Sequence, residues 1–176
     1  MKIILFIGHI YFLFLPAILG GVLNMVFVKL PVLKSWRIPI DGGKTLKDGN
    51  RVFGDNKTWK GFFGMIIFTA LSAWLFWHSA FKYSYLCGAL LGFAYVLSEL
   101  PNSFIKRRLN IRAGKNGGII QTFFDQADSV IGCVIFMPLY YPLTLGEAAG
   151  IFVIATATHY IINILLFFAK LRGQKG

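Results

Sequence analysis

The chain has 176 residues, of which 56% are hydrophobic and only 14% are charged, and its mean hydropathy is +0.65. These values lie outside the range of soluble domains and indicate an integral membrane protein, with a length that suits one compact unit. The net charge of +11 does not indicate nucleic acid binding, because the basic residues are concentrated in the connections between apolar segments. That placement favours contact with anionic membrane lipids and phosphate ligands.

Five apolar segments follow one another along the chain, at 3–28, 61–81, 83–105, 127–143 and 146–169. A helix needs about 20 residues to cross the hydrocarbon core, and the fourth segment is the shortest. The first segment follows Lys2 and is too long for the apolar part of a signal peptide, so we interpret it as an uncleaved helix. The sequence predicts an all-α integral membrane fold with five transmembrane helices.

The distribution of charge predicts the orientation of these helices. With five spans, the connection after the first segment, the connection after the third and the C-terminal tail share one side, which then holds sixteen of the 18 Lys and Arg residues. The tail contributes Lys170, Arg172 and Lys175, and only Lys2 and Lys82 lie opposite. Cytoplasmic connections are rich in Lys and Arg, so we expect an outside N-terminus, a cytoplasmic C-terminus and long cytoplasmic loops after helices 1 and 3.

The third segment carries a polar stripe. Glu99, Ser103, Lys106 and Arg107 are spaced at i, i+4, i+7 and i+8, which places them on one face of a helix. An unpaired carboxylate within an apolar segment is costly, so Glu99 is a candidate functional residue. For the basic run that ends at Arg108, a plain juxtamembrane anchor is the alternative.

Two further carboxylates, Asp125 and Asp128, stand three residues apart at the start of the fourth segment. This spacing allows both to face one cation, and together with Glu99 they form the oxygen-rich ligand set that Mg²⁺ prefers. The alternative for Asp125 is a helix N-cap, with acids of the first turn interacting with the helix dipole.

The first connection contains two glycine-lysine motifs, DGGKTL from Asp41 and GDNKTWKG from Gly54. Adjacent glycines permit turns that hold anions, and Lys44 and Lys57 can neutralise phosphate oxygens. Neither motif is a Walker A loop. The alternative is a tight turn followed by Asp55 or Thr58 as the cap of the second helix.

Together these motifs resemble the CDP-archaeol synthase family, which is related to phosphatidate cytidylyltransferase. The matching stretches are 41–51, 54–61, 103–108 and 125–128, in family order. The resemblance implies a single membrane-embedded catalytic domain over 1–176 that joins CTP to a lipid phosphate, such as 2,3-bis-O-geranylgeranyl-glycerol phosphate, giving a CDP-lipid and pyrophosphate. Mg²⁺ is the implied cofactor. Glu99 stands where the family has Asp, which retains the carboxylate on a longer side chain.

On this interpretation the candidate site residues fall into three groups. The metal ligands are Glu99, Asp125 and Asp128. The catalytic residues are Ser103, Lys106, Arg107 and Asp128. The substrate-binding residues are Lys44, Asp55, Lys57 and Arg108, with Asp41 a weaker candidate for the nucleotide.

Three other functions are weighed against this hypothesis. A phosphatidate cytidylyltransferase making CDP-diacylglycerol would use the same motifs. A non-enzymatic scaffold that binds anionic lipids explains the basic loops, but not the acids within apolar segments. A channel or transporter predicts polar residues through the depth of several spans, whereas the acids lie at one end. We therefore expect a multi-pass enzyme of the cell membrane with its active site on the cytoplasmic face. CTP, the lipid phosphate and membrane lipids are its expected partners, and a homo-oligomer is compatible with the sequence.

Overall fold

Five long helices form the protein, whose computed structural model describes residues 1–115 and 117–170. All five are long and apolar enough to cross a membrane, which confirms the all-α, five-span prediction. Short 3₁₀ turns lie at Lys34–Trp36 and Met137–Leu139. The helices are α1 (Lys2–Lys29), α2 (Trp59–Trp77), α3 (Ser84–Arg108), α4 (Ile119–Phe136) and α5 (Leu145–Phe168).

Local side-chain bonds fix where α2 and α5 begin. A spanning helix satisfies its own backbone groups in lipid, but the first N–H groups of each helix need other partners. Thr58 caps α2, its hydroxyl oxygen accepting from the Gly61 N–H at 3.2 Å. In α5, Thr144 and Glu147 form a reciprocal capping box. The predicted alternative of Thr58 as a helix cap is therefore confirmed.

The fourth helix begins earlier than the sequence predicts, at Ile119 instead of residue 127. The stretch before the two aspartates contains Phe123 and Phe124, which are half exposed and continue the apolar surface of the helix. The cap position belongs to Gly118, so the alternative of Asp125 as an N-cap is wrong. Asp125 instead lies within α4, so its position on the helix determines which way its side chain points.

Glycines allow α2 and α3 to pack closely. A Cβ added at Gly92 would lie 2.9 Å from both the Ile66 Cα and the Met65 carbonyl oxygen, and one at Gly88 would collide with Ala73. Small residues spaced four apart permit such close approach of helices in a membrane. Gly88 and Gly92 therefore form part of the contact face between α2 and α3.

The outward faces of the bundle are apolar and exposed. On α2, Ile67, Leu71, Trp74 and Leu75 are each more than half exposed. An apolar surface of this extent is incompatible with water and suits contact with lipid tails. The buried core is correspondingly small, and the free thiol of Cys133 packs within it as a small hydrophobic group.

The basic regions meet at one end of the bundle, as the charge pattern predicts. The Arg108 guanidinium at the end of α3 lies 2.6 Å from the Asp48 carboxylate in the first connection. At the end of α1, the Lys29 ammonium donates to the Lys170 carbonyl oxygen at 2.9 Å. Arg172 and Lys175 of the tail lie outside the described residues. This end, called the basic end below, also contains the candidate site.

Candidate active site

A cavity of about 910 Å³ opens at the basic end, between the helices and the two long connections. Every one of the five helices contributes to its lining. A volume of this order suits a nucleotide-sized ligand. The predicted site residues that line it are Asp55, Lys57, Glu99, Ser103, Lys106, Arg107, Asp125 and Asp128.

The polar stripe of α3 faces this cavity, as its spacing predicts. Lys106 extends towards α4, and its ammonium lies 2.5 Å from a carboxylate oxygen of Asp125. Both side chains are largely buried, with 11% and 16% of their surface exposed. Ser103 lies on the same helix between Glu99 and Lys106, and it is also buried. The stripe thus joins α3 to α4 through an ion pair that water reaches poorly.

An amide bridges the two aspartates of α4. The Asn102 side chain donates to Asp125 at 2.8 Å and to Asp128 at 2.7 Å through one nitrogen. Gln121 donates both to Asn102 at 2.7 Å and to Asp125 at 3.1 Å. Sequence reasoning missed both amides, although Asn102 lies three residues after Glu99 and Gln121 lies one turn before Asp125. Those helical spacings were the available signal.

Glu99 is paired with Lys57, the last residue but one before α2. The ammonium and a Glu99 carboxylate oxygen form an ion pair, and both side chains are about one-fifth to one-quarter exposed. Burial opposes the charge on Lys57, but the carboxylates of Glu99, Asp128 and Asp125 outweigh it and raise its pKa above the ordinary value. Lys57 therefore remains a cation in the lining of the cavity.

The first connection is organised around Asp41. Its buried carboxylate pairs with Arg51 and accepts from the backbone N–H groups of Phe53 at 3.0 Å, Gly54 at 3.0 Å and Gly43 at 3.1 Å. Burial opposes ionisation, but the Arg51 guanidinium and the N–H groups outweigh it and hold the pKa of Asp41 well below its usual value. These contacts make Asp41 the structural centre of the loop, and the described residues that line the cavity do not include it.

Two predicted substrate-binding residues, Lys44 and Arg108, stand apart from the described cavity lining. Lys44 is exposed on the first connection. Arg108 donates to the Arg51 carbonyl oxygen at 2.6 Å and also pairs with Asp48, which anchors this connection to the end of α3. Direct substrate contact by these two residues stays a prediction.

Arg107 lines the cavity and also bonds to the backbone of both long connections. Its Nε donates to the Phe53 carbonyl oxygen at 3.1 Å, and its NH1 donates to the Ile111 carbonyl oxygen. The side chain therefore holds both long connections against α3 while placing a buried positive charge beside the cavity.

Further polar groups from α3 and α5 lie at the cavity, among them Tyr95, His159 and Asn163. The Tyr95 hydroxyl lies 3.0 Å from the His159 Nε2, and the His159 Nδ1 lies 3.1 Å from the Gln126 carbonyl oxygen. Asn163 donates to the Gln126 side-chain oxygen at 2.5 Å. The sequence contains no local signal for this group, because α3, α4 and α5 each supply a part of it.

The three candidate metal ligands share the cavity, and their oxygen donors suit Mg²⁺. Each is directed at an ammonium or amide group: Lys57, Lys106 or Asn102. Within 1–115 and 117–170, no three His, Cys, Asp or Glu side chains are grouped as a preformed metal site. The donor chemistry therefore fits the metal, while the arrangement of the three carboxylates is set by their partners on the protein.

A family model for CarS-like CDP-archaeol synthases matches residues 1–173. The chain belongs to the CDP-archaeol synthase family. Curated members include the CDP-archaeol synthases of Thermofilum pendens, 34% identical over 90% of this chain and 76% of the relative, and of Methanoculleus marisnigri, 35% identical over 74% of this chain and 84% of the relative. That of Pyrococcus furiosus is 34% identical over 80% of this chain and 84% of its own.

A solved structure agrees with this family assignment. It is described as structural insight into an intramembrane enzyme for archaeal membrane lipids biosynthesis, and it is similar with a TM-score of 0.69 and 26% identity. The similarity covers 88% of this chain and 92% of that one. This member of the CDP-archaeol synthase family is therefore a multi-pass membrane enzyme of the lipid cytidylyltransferase class, as the sequence motifs predict.

Proposed function

We propose that this protein is a CDP-archaeol synthase, which transfers CMP from CTP to an ether-linked isoprenoid lipid phosphate and releases pyrophosphate. The substrate class is 2,3-bis-O-geranylgeranyl-glycerol phosphate or a close relative. The names of the curated relatives support this choice. The single observation that carries it is a large cavity at one end of the bundle, lined by acidic and basic side chains that include the carboxylates of Glu99, Asp125 and Asp128.

The reaction needs positioning more than acid–base chemistry. An oxygen of the lipid phosphate attacks the α-phosphorus of CTP, and the bond from that phosphorus to the bridging oxygen of the β-phosphate breaks. The electron pair leaves with pyrophosphate. A phosphate monoester is largely ionised at neutral pH, so no general base is required. Both reactants are polyanions, and the protein lowers the barrier by aligning them and stabilising their charge.

The basic side chains supply this stabilisation. Lys106 and Arg107 are buried at the junction of α3 and α4, where they can hold the lipid phosphate or the leaving pyrophosphate. Lys57 lines the cavity from the first connection and can bind the nucleotide, and the Ser103 hydroxyl can donate to a phosphate oxygen. Asp55 pairs with Arg51 at 2.5 Å, which orients the loop residues that precede Lys57.

Glu99, Asp125 and Asp128 would hold Mg²⁺. When bound, the metal supplies Lewis-acid neutralisation of the triphosphate oxygens. Asn102 and Gln121 hold the two aspartates of α4 in place for this task.

The proposed enzyme resides in the cell membrane and works at the cytoplasmic face, because the basic end is the one that the positive-inside rule assigns to the cytoplasm. A single-cysteine test checks this orientation in cells, with Cys87→Ser and Cys133→Ser as background. We expect an impermeant maleimide to label Lys82→Cys in intact cells and Lys34→Cys only after lysis. The reverse pattern would contradict the proposed orientation.

Incorporation of labelled CTP into organic-extractable material tests the reaction. Purified protein in detergent receives Mg²⁺ with either the ether-linked isoprenoid lipid phosphate or phosphatidate. We expect Mg²⁺-dependent labelling of the ether lipid, with little labelling of phosphatidate. Preferential labelling of phosphatidate would make the protein a CDP-diacylglycerol synthase, and labelling of neither by folded, monodisperse protein would reject the proposal.

A further inference from the structure

Two of the three candidate metal ligands, Glu99 and Asp125, are already paired with the protein's own cations. Glu99 pairs with Lys57 from the first connection, and Asp125 pairs with Lys106 from α3 at 2.5 Å. These contacts are charge-assisted and poorly exposed, which makes them stronger than surface ion pairs. Any cation that binds the same carboxylate oxygens must compete with these two ammonium groups.

The same two lysines face the space that a triphosphate would fill. Lys57 and Lys106 both line the cavity, one from the first connection and one from α3. Each has a flexible four-carbon stem and three donors, so it can exchange one oxygen partner for another without backbone movement. A carboxylate and a phosphate oxygen are equivalent partners for an ammonium group.

We propose that Lys57 and Lys106 are exchangeable counter-ions: when Mg²⁺ and the CTP triphosphate bind together, each ammonium leaves its carboxylate and donates to a phosphate oxygen. The inference rests on the proposed function, since it assumes a divalent cation and a nucleotide at this site. It assigns to both lysines a positioning role that couples the two ligands.

This exchange makes the binding of metal and nucleotide cooperative. A divalent cation alone must displace two ammonium groups that then lack an anionic partner, which weakens its binding. With the triphosphate present, the displaced lysines gain new partners, and the metal binds more tightly. Such coupling is reciprocal, so bound metal strengthens nucleotide binding by the same factor.

The decisive measurement is the affinity for Mn²⁺ without nucleotide, followed by electron paramagnetic resonance of the free ion. We expect Lys57→Met and Lys106→Met each to bind Mn²⁺ about tenfold more tightly than the natural protein, equivalent to about 1.4 kcal/mol. At saturating Mg²⁺, equilibrium dialysis with labelled CTP should show about tenfold weaker nucleotide binding, because the phosphate contact is lost.

Lys29→Met is the matched control. Lys29 lines the same cavity, but its ammonium donates to the Lys170 carbonyl oxygen rather than to a carboxylate. The substitution removes the same charge without freeing a carboxylate, so we expect its affinity for Mn²⁺ to change less than about twofold. An equal increase in Lys29→Met and Lys57→Met would indicate a general charge effect and overturn the exchange.

The two lysine variants make the test robust, because they lie on different elements. Should one fail to give monodisperse protein, the other carries the same expectation. If the natural protein binds labelled CTP and labels lipid, but neither variant binds Mn²⁺ more tightly than Lys29→Met, the exchange alone is wrong. If the natural protein neither binds CTP nor labels lipid, the proposed function itself fails.

Discussion

Replacing Asp128 by Asn should abolish cytidylyl transfer while leaving the fold intact. The substitution preserves volume and the possibility of bonding to Asn102, but it removes one of three anionic ligands for Mg²⁺. Loss of a metal ligand removes several kcal/mol of charge stabilisation, so we expect kcat to fall by about 10³-fold or more. The measurement is Mg²⁺-dependent incorporation of labelled CTP into lipid, alongside size-exclusion profile and thermal midpoint.

Lys82→Ala is the control for this prediction. Lys82 lies in the short connection between α2 and α3, where its ammonium stacks over the Tyr83 ring at the end of the bundle opposite the cavity. Its removal should leave turnover unchanged within about twofold. Near-normal activity of Asp128→Asn would reject the assignment of metal ligands, whatever the control shows.

The sequence predicts well the part of the site in which the residues lie on one face of a single helix. The stripe from Glu99 to Arg107 follows from spacing alone, since residues three, four, seven and eight apart share a face of any helix. The convergence of Asp125 and Asp128 follows in the same way. The positions of the carboxylates in or next to apolar segments also indicated a functional role, because an ionisable group is costly there.

Contacts between distant parts of the chain could not be predicted in this way. Lys57 and Glu99 are 42 residues apart, and their pairing depends on how the first connection folds over α3. The early start of α4 was also not predicted. The helix includes exposed phenylalanines before its two aspartates, and a search for uninterrupted apolar runs stops at these acids. The structural role of Asp41 could not be predicted from the sequence. Its partners are spread over residues 43–54 and include three backbone N–H groups, which no side-chain motif indicates.

Replacing Asp41 by Asn should loosen the first connection and weaken nucleotide binding, although Asp41 is absent from the described cavity lining. The side chain is 1% exposed and holds Arg51 and three backbone N–H groups. The substitution leaves Arg51 with only the exposed carboxylate of Asp55 and removes the charge that three N–H groups share, at a cost on the order of 2–3 kcal/mol. Because the loop presents Lys57, we expect KM for CTP to rise about tenfold or more, with faster tryptic cleavage within 37–57.

Asp48→Asn provides the matched comparison within the same loop. Asp48 also pairs with an arginine, Arg108, but its side chain is 40% exposed. An exposed pair contributes less than about 1 kcal/mol, so this variant should keep its KM for CTP within about threefold. If Asp41→Asn and Asp48→Asn behave alike, Asp41 does not organise the loop.

The pH dependence of stability separates the charge of Asp41 from its shape. The pKa of Asp41 is depressed in the folded protein, so its carboxylate stabilises the fold above the ordinary pKa near 4 and loses this effect as the pH falls towards the lower, folded value. The difference in thermal midpoint between the natural protein and Asp41→Asn should therefore be constant from pH 8 to about 5 and shrink below about pH 4. A difference that persists unchanged in acid would mean that the amide fails to fit, and that the charge is not what holds the loop.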